Sequence, residues 1–350
     1  MDKLGNVNPR RLLLLVLLAA FILLVVTRFA GLRELGATLR QSRWRWVLAA
    51  TLSHVVYFGL YGLMYRYGFA AVDVEGSVKR FVPVMFASLF VNAVAPTGGV
   101  GGAALFVDDA MRRGQSGTRA AVGTILVLLL DLSTMLPFIM AGFAFLYSRG
   151  QLKLYILLGL AAFLAFVFAL LGALILAAWR PRLLQRRLGS VQQAVSRVGS
   201  WFGHPDLLQA EWAESSTGQF QEAVRAIKSR QRDVLVALVV AAFLHLANVA
   251  GLYLVFLAFR VQPDLGTVIA GFGMSVVFFV VSIFQGAGVV EVVMILIFKN
   301  AGVPEAEAVL IALTFRGLNF WLPILFGFFF VHRVRSFKDG TPATAWEEES

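Results

Sequence analysis

The strongest constraint on this chain is how often its sequence stays apolar for long enough to cross a lipid bilayer. Residues 12–30, 46–65, 120–147, 154–179, 234–259 and 306–331 are each long and almost free of charge. Spanning the hydrocarbon core takes about 20 helical residues, and only helices and closed barrels satisfy every backbone group inside it. The chain is 59% hydrophobic and 15% charged, whereas soluble domains are about 45–50% apolar and about 25% charged. The fold class is therefore all-α: a polytopic membrane protein of six full spans, or about eight helices when shorter apolar pieces are counted.

There are no cysteines, which excludes disulfides, thiolate metal sites and a cysteine nucleophile. The formal charge is +11. In a membrane protein such an excess reports basic cytoplasmic loops and contact with anionic head groups. No soluble basic domain stands out, so nucleic acid is not an expected partner. The run 12–30 follows Lys3, Arg10 and Arg11, is longer than a signal-peptide core and lacks a small-residue cleavage site. It reads as an uncleaved first span that starts in the cytoplasm. Arg33, Arg40, Arg43, Arg45 and Trp44 then suit an interfacial helix at the head groups.

Two places break the apolar pattern. The first is Asn92, Pro96, Thr97, Gly98, Gly99, Gly101 and Gly102, between apolar pieces 81–95 and 103–111. Gly99, Gly101 and Ala104 match a loose dinucleotide fingerprint, but the strand–turn–helix context it needs is missing. The second is Gln285, Gly286 and Gly288, between 266–284 and 289–298. The shorter pieces are too short to span, and exposed backbone at membrane depth is tolerated only inside protein or a water-lined cavity. Both breaks read as tips of re-entrant hairpins, over 81–113 and 266–300. The spacing Gly98-x-x-x-Gly102 also suits close helix packing. The alternative is a half-helix N-terminus that offers backbone N–H groups to an anion such as phosphate.

The two regions share an order: glycine turn, short helix, basic residue, polar turn, then a long span containing Leu-Pro. With the N-terminus in the cytoplasm, the first hairpin enters from inside and the second from outside. The basic stretch 180–232 and the residues Arg333, Arg335 and Lys338 then fall inside, as the positive-inside rule asks. The arginine-rich segment 28–45 is left outside. This predicts a first span and interfacial helix (1–45), a first repeat unit (46–179), a cytoplasmic amphipathic region (180–232), an inverted second unit (233–335) and a disordered tail (336–350). Inverted repeats with broken helices near the midplane are a transporter signature.

Asn92, Pro96 and the glycines after it resemble the first motif of the lysylphosphatidylglycerol synthase transmembrane family, the flippase-like integral membrane proteins. The second motif is closer: Gly286, Gly288, Glu291, Gly302, Val303, Pro304, Arg316, Leu322 and Pro323 follow the family's order and spacing. The resemblance runs from about residue 10 to residue 335. It implies a protein of the cell membrane that moves polar lipids between leaflets, with membrane lipids as partners and no cofactor. Full-length synthases carry an aminoacyl-transfer domain after the membrane part. This sequence stops soon after its last span, so lysyl-lipid synthesis is not expected of it. Many members place an acidic residue just after the first glycine turn, where this chain has Gly102 and Ala103.

Charge inside a membrane costs about 2.5–3.5 kcal/mol at a helix centre on insertion scales, so such residues are functional candidates. Glu291 can stabilise its helix dipole, pair with Arg316 or carry a coupling proton. Arg316 can hold Glu291 or fork onto a lipid phosphate, and Asn319, three residues on, can share either role. Asp131 needs a partner or a proton; the expectation is a contact to the glycine turn or an arginine, or an ion-coupling role. Asp108 with Arg112 and Asp109 with Arg113 are i,i+4 pairs. His54, and His245 with Asn248, read as buried packing groups. No metal site and no catalytic nucleophile–base pair is recognisable. The reading is a non-enzymatic transporter of a polar, anionic lipid; the alternatives are a secondary transporter of a small anion, an intramembrane lipid-phosphate enzyme, or a scaffold.

Overall fold

The computed structural model describes residues 42–94, 100–179, 186, 212–282 and 286–331. The expected span 12–30, nearly all of the interfacial segment, the expected tail, and Pro96, Thr97, Gly98, Gly99 and Gln285 lie outside them. Among the described residues every regular element is helical. In chain order these are α1 (Trp44–Ala70), α2 (Val78–Val94), α3 (Val100–Met111), α4 (Gly117–Ser148), α5 (Leu154–Trp179), α6 (Trp212–Ser229), α7 (Gln231–Ala258), α8 (Leu265–Val281), α9 (Val289–Asn300) and α10 (Glu305–Arg316). A π-helical turn at Gly317–Trp321 then leads into α11 (Leu322–Val331).

Five stretches are long and apolar enough to cross a membrane: Trp44–Ala70, Gly117–Ser148, Leu154–Gly172, Gln231–Ala258 and Glu305–Val331. They match five of the six expected spans. Their outer faces carry large exposed apolar side chains, such as Leu48, Leu52 and Val55 on α1 and Leu235, Phe243 and Leu246 on α7. In water that pattern would be a liability; in hydrocarbon it is the natural lipid-facing surface. Two boundaries differ from the sequence reading. α1 runs on to Ala70, past the expected end at Tyr65, because Arg66 lies on its exposed side. The last span is not uniformly α-helical: α10 and α11 are joined through the π turn.

Each glycine break separates a 17-residue helix from a 12-residue one: α2 and α3 at the first, α8 and α9 at the second. At 1.5 Å per residue a 12-residue helix is about 18 Å long, well short of a bilayer core of about 30 Å. Local chemistry starts the helices beside them. The Ser116 hydroxyl caps α4 by accepting from the Arg119 amide at 3.1 Å, and Asp264 caps α8 by accepting from the Gly266 amide at 3.2 Å.

The packing is reciprocal. Among the described residues, the spans that precede the two glycine breaks, α1 and α7, form the most extensive helix contact. The span after the first hairpin, α4, packs on α8 of the second. The span after the second hairpin, α11, packs on α2 of the first. Glycines permit both crossed contacts. A Cβ on Gly142 of α4 would sit 2.9 Å from the Ala270 Cα, and one on Gly327 of α11 would run into the Phe86 carbonyl. Small residues let apolar helices bring their backbones together, which is where membrane helices gain dispersion contacts. Two apolar cores result. One joins α2, α3 and the first half of α4 with α11; the other joins α8, α9 and α10 with the second half of α4.

Candidate functional site

At the second break the chain turns through Gly286 and Gly288, whose φ values are +71° and +85°. Side chains rarely adopt that backbone, and a Cβ on Gly286 would also lie 3.2 Å from the Phe278 carbonyl oxygen. The turn presents the N-terminus of α9. Glu291, in the first turn of α9, folds back onto it. Its Oε2 accepts from the Gly288 amide at 2.7 Å, and its Oε1 accepts from Nε of Arg316 at 3.1 Å. Both side chains are buried, at 6% and 3% exposure. The Arg316 guanidinium also lies over the Phe320 ring, 4.0 Å from its centroid. One carboxylate thus meets the partial positive charge of a helix end and a full positive charge from the last span. The pairing expected from the cost of burying either charge alone is present.

Asn319 does not join that pair. Its amide donates to Oδ1 of Asn248 on α7 at 2.7 Å. The sequence spacing places it on the face of Arg316 only if the helix is regular, and it lies inside the π turn, which resets the direction of side chains.

At the first break, Asn92 of α2 reaches across to α3. Its Oδ1 accepts from the Gly102 amide at 2.8 Å. A Cβ on Gly102 would collide with Ser88 and with Asn92 itself. Gly101 is half-buried beside it. The two breaks therefore use the same device, a side-chain oxygen on the first amides of a short helix. One oxygen is neutral and the other belongs to a carboxylate.

Asp131 of α4 is buried at 6% exposure, and among the described residues its partners are neither glycines of the turn nor an arginine. Tyr61 of α1 donates its hydroxyl to Oδ2 at 3.2 Å, and Nε2 of His245 on α7 lies 3.1 Å from Oδ1. His245 is fully buried, as expected. The sequence reading missed Tyr61. The signal was there: His54, Tyr57, Tyr61 and Tyr65 recur on one face of α1 at spacings of three and four.

The remaining charges cluster at helix ends. Asp108 pairs with Arg112 at 2.9 Å, and Asp109 pairs with Arg113 at 3.0 Å and with Arg80 of α2 at 3.2 Å. Arg113 also donates to the Glu75 carbonyl, and burial against apolar surface pulls its ionisation below the ordinary arginine value, opposed by Asp109. Arg119 meets Glu222 at 2.7 Å, which ties α6 to the end of α4. At the opposite end of α9 from Glu291, a recess of about 210 Å³ is lined by Arg149, Gln151, Asp264, Asn300 and Pro304.

Comparison with known proteins agrees with this architecture. The chain matches the family model described as the lysylphosphatidylglycerol synthase TM region over residues 12–327. It is similar to the UPF0104 membrane protein PH1989 of Pyrococcus horikoshii, 21% identical over 317 residues, which cover 90% of this chain and 94% of that protein. No solved structure matches. A match of that extent, over both glycine breaks and nearly all of the described spans, decides the family: this chain belongs to the lysylphosphatidylglycerol synthase transmembrane family.

Proposed function

We propose that this protein moves a polar, anionic lipid across the cell membrane, with its termini in the cytoplasm and its two hairpins inserted from opposite faces. The observation that carries the reading is the buried Glu291–Arg316 pair at the α9 N-terminus. Glu291 already occupies an anion site made of a helix end and a guanidinium. A lipid phosphate has the same sign of charge and accepts the same hydrogen bonds, so it exchanges with Glu291 instead of entering an empty site. Exchange makes binding reversible, as transport requires. Reciprocal packing of α4 on α8 and of α11 on α2 supports two repeat units that move against each other around that point.

The test is translocation of fluorescent phosphatidylglycerol in vesicles of neutral lipid that contain the purified full chain. The parent protein is expected to move the label. Arg316→Lys keeps the charge but loses the planar fork and should slow movement while the protein stays folded. Gly101→Leu should block the first hairpin tip. Transport by both variants at the parental rate would place the site elsewhere. Uptake of inorganic phosphate without lipid movement would replace this reading with a small-anion carrier. Single cysteines at Arg112 and Asn300, on this cysteine-free background, test orientation. The first should label from the cytoplasm and the second from outside, and labelling of both from one face would end the inverted arrangement.

A further inference from the structure

We propose that Asp131 and His245 share one exchangeable proton and form an ion-coupling site, served by a tyrosine stripe on α1. The two side chains come from different spans, α4 and α7, and both are buried. His245 Nε2 bonds the Asp131 backbone oxygen at 3.2 Å and stands 3.1 Å from Oδ1, a buried oxygen with no hydrogen-bond partner among the described residues. With the proton bound, the pair is net neutral, whether the proton sits on the imidazole or on the carboxyl. Without it, the pair carries one negative charge in an apolar interior. Among the described residues no arginine or lysine lies within ion-pair distance of Asp131 to offset that charge. The groups around the pair are uncharged: Tyr57, Tyr61 and Tyr65 from α1, Phe138 from α4, Phe272 from α8, and Asn248 one turn along α7.

The contrast with Glu291 is chemical. Arg316 does not lose its proton, so the pair at the second break keeps its charge state. Imidazole is the side chain whose charge changes near neutral pH. Asp131–His245 is therefore suited to a step that gains and loses a charge.

A route to the pair is also built. Tyr57, Tyr61 and Tyr65 succeed one another at four-residue spacing, with ring centroids 5.8 Å and 5.5 Å apart. Tyr61 donates to Asp131. Tyr65, half-buried, stacks on Phe106 of the first hairpin at 4.4 Å. Phenols both donate and accept, and the stripe, with Tyr61 bonded to Asp131 and to Tyr65, runs about 12 Å from Tyr57 to Tyr65 at 1.5 Å per residue. It ends beside the first hairpin, which makes protonation able to bias the position of α3. That last link, and coupling to transport, rest on the lipid-translocation reading; proton binding by the pair does not.

Two measurements separate the claims. Nitrogen-15 histidine spectra of the purified full chain contain four histidines, and loss of a signal in His245→Gln assigns the one of interest. A shared proton requires that this signal respond to pH and that Asp131→Asn displace the response. A His245 signal that holds one state across about pH 4–10, well beyond the ordinary imidazole range, overturns the proposal. So does a midpoint that Asp131→Asn leaves in place. In vesicles with fluorescent phosphatidylglycerol, a one-unit pH gradient should change the parental rate by up to about tenfold for one coupled proton. The response should vanish in Asp131→Asn and in His245→Gln. A response that follows a sodium gradient instead overturns proton coupling. If no variant moves lipid while His245 still titrates with Asp131, the lipid reading fails and the proton site stands. If lipid moves without regard to the gradient and His245 is silent, the reverse holds.

Discussion

The two glycine breaks solve one problem with different chemistry. Each separates a 17-residue helix from a 12-residue helix that has a side-chain oxygen on one of its first amides. At the first break the acceptor is the Asn92 amide, brought from the preceding helix. At the second it is the Glu291 carboxylate, from the short helix itself, and Arg316 neutralises it. A neutral cap is cheap to bury and needs no partner. A charged cap is costly alone and so locks the hairpin to the last span. The first hairpin is therefore held by local hydrogen bonding and packing, the second by a long-range ionic link.

The spans that follow the hairpins differ in a matching way. Asp131 lies six residues before Pro137, and Arg316 seven before Pro323. The π turn at Gly317–Trp321 accommodates one extra residue, so the two side chains stand at similar offsets from the proline of their spans. One unit carries an acid there and pairs it with His245. The other carries a base and pairs it with Glu291.

The largest expected effect is at the charged break. Glu291→Gln or Arg316→Gln should each cost about 3–5 kcal/mol, because the remaining charge stays buried and unpaired. Thermal unfolding of the purified protein should show the loss, and the double variant should lose less than the two singles added. Additive losses would mean that the pair is not a unit. Next is Gly286→Ala, which forces a side chain into left-handed backbone and against the Phe278 carbonyl, for about 1–3 kcal/mol. The same assay reads it; unchanged stability would show that the turn relaxes freely.

Asn92→Ala removes the neutral cap and should cost about 1 kcal/mol, within the range for helix N-caps. It should cost clearly less than either change at the Glu291 pair. A larger loss would reverse the ranking of the two breaks. Smallest is Asn319→Ala, which removes the link to Asn248 and should cost about 0.6 kcal/mol, a typical interhelical hydrogen bond in a membrane. A loss several times larger would mark the π turn, and not the ion pair, as the anchor of the last span.

Much of this was legible in the sequence, because burial in lipid penalises few things and penalises them heavily. Apolar length announced five described spans, with ends that differ by up to several residues. Glycine and proline in apolar sequence marked the two places where a 17-residue helix gives way to a 12-residue one. Glu291 and Arg316 stood out because neither charge is affordable alone, and their order around the second turn allowed them to meet. The i,i+4 pairs of Asp108 and Asp109 needed only helix geometry. Asp131 stood out for the same reason, yet its partners did not follow: Tyr61 lies 70 residues away and His245 lies 114 residues away.

The sequence by itself determined the class, the spans, the places where the backbone breaks and which charges require partners. Only the tertiary structure decided who those partners are. Helices that are apolar all round carry no stripe to say which face meets which neighbour. Backbone contacts through Gly142 and Gly327, settled by shape over long sequence separations, choose the crossed packing of α4 on α8 and α11 on α2. That packing brings α1, α4 and α7 together, and with them Tyr61, Asp131 and His245. The π turn is decided the same way. It turns Asn319 away from Arg316 toward Asn248, a direction that no spacing in the sequence encodes.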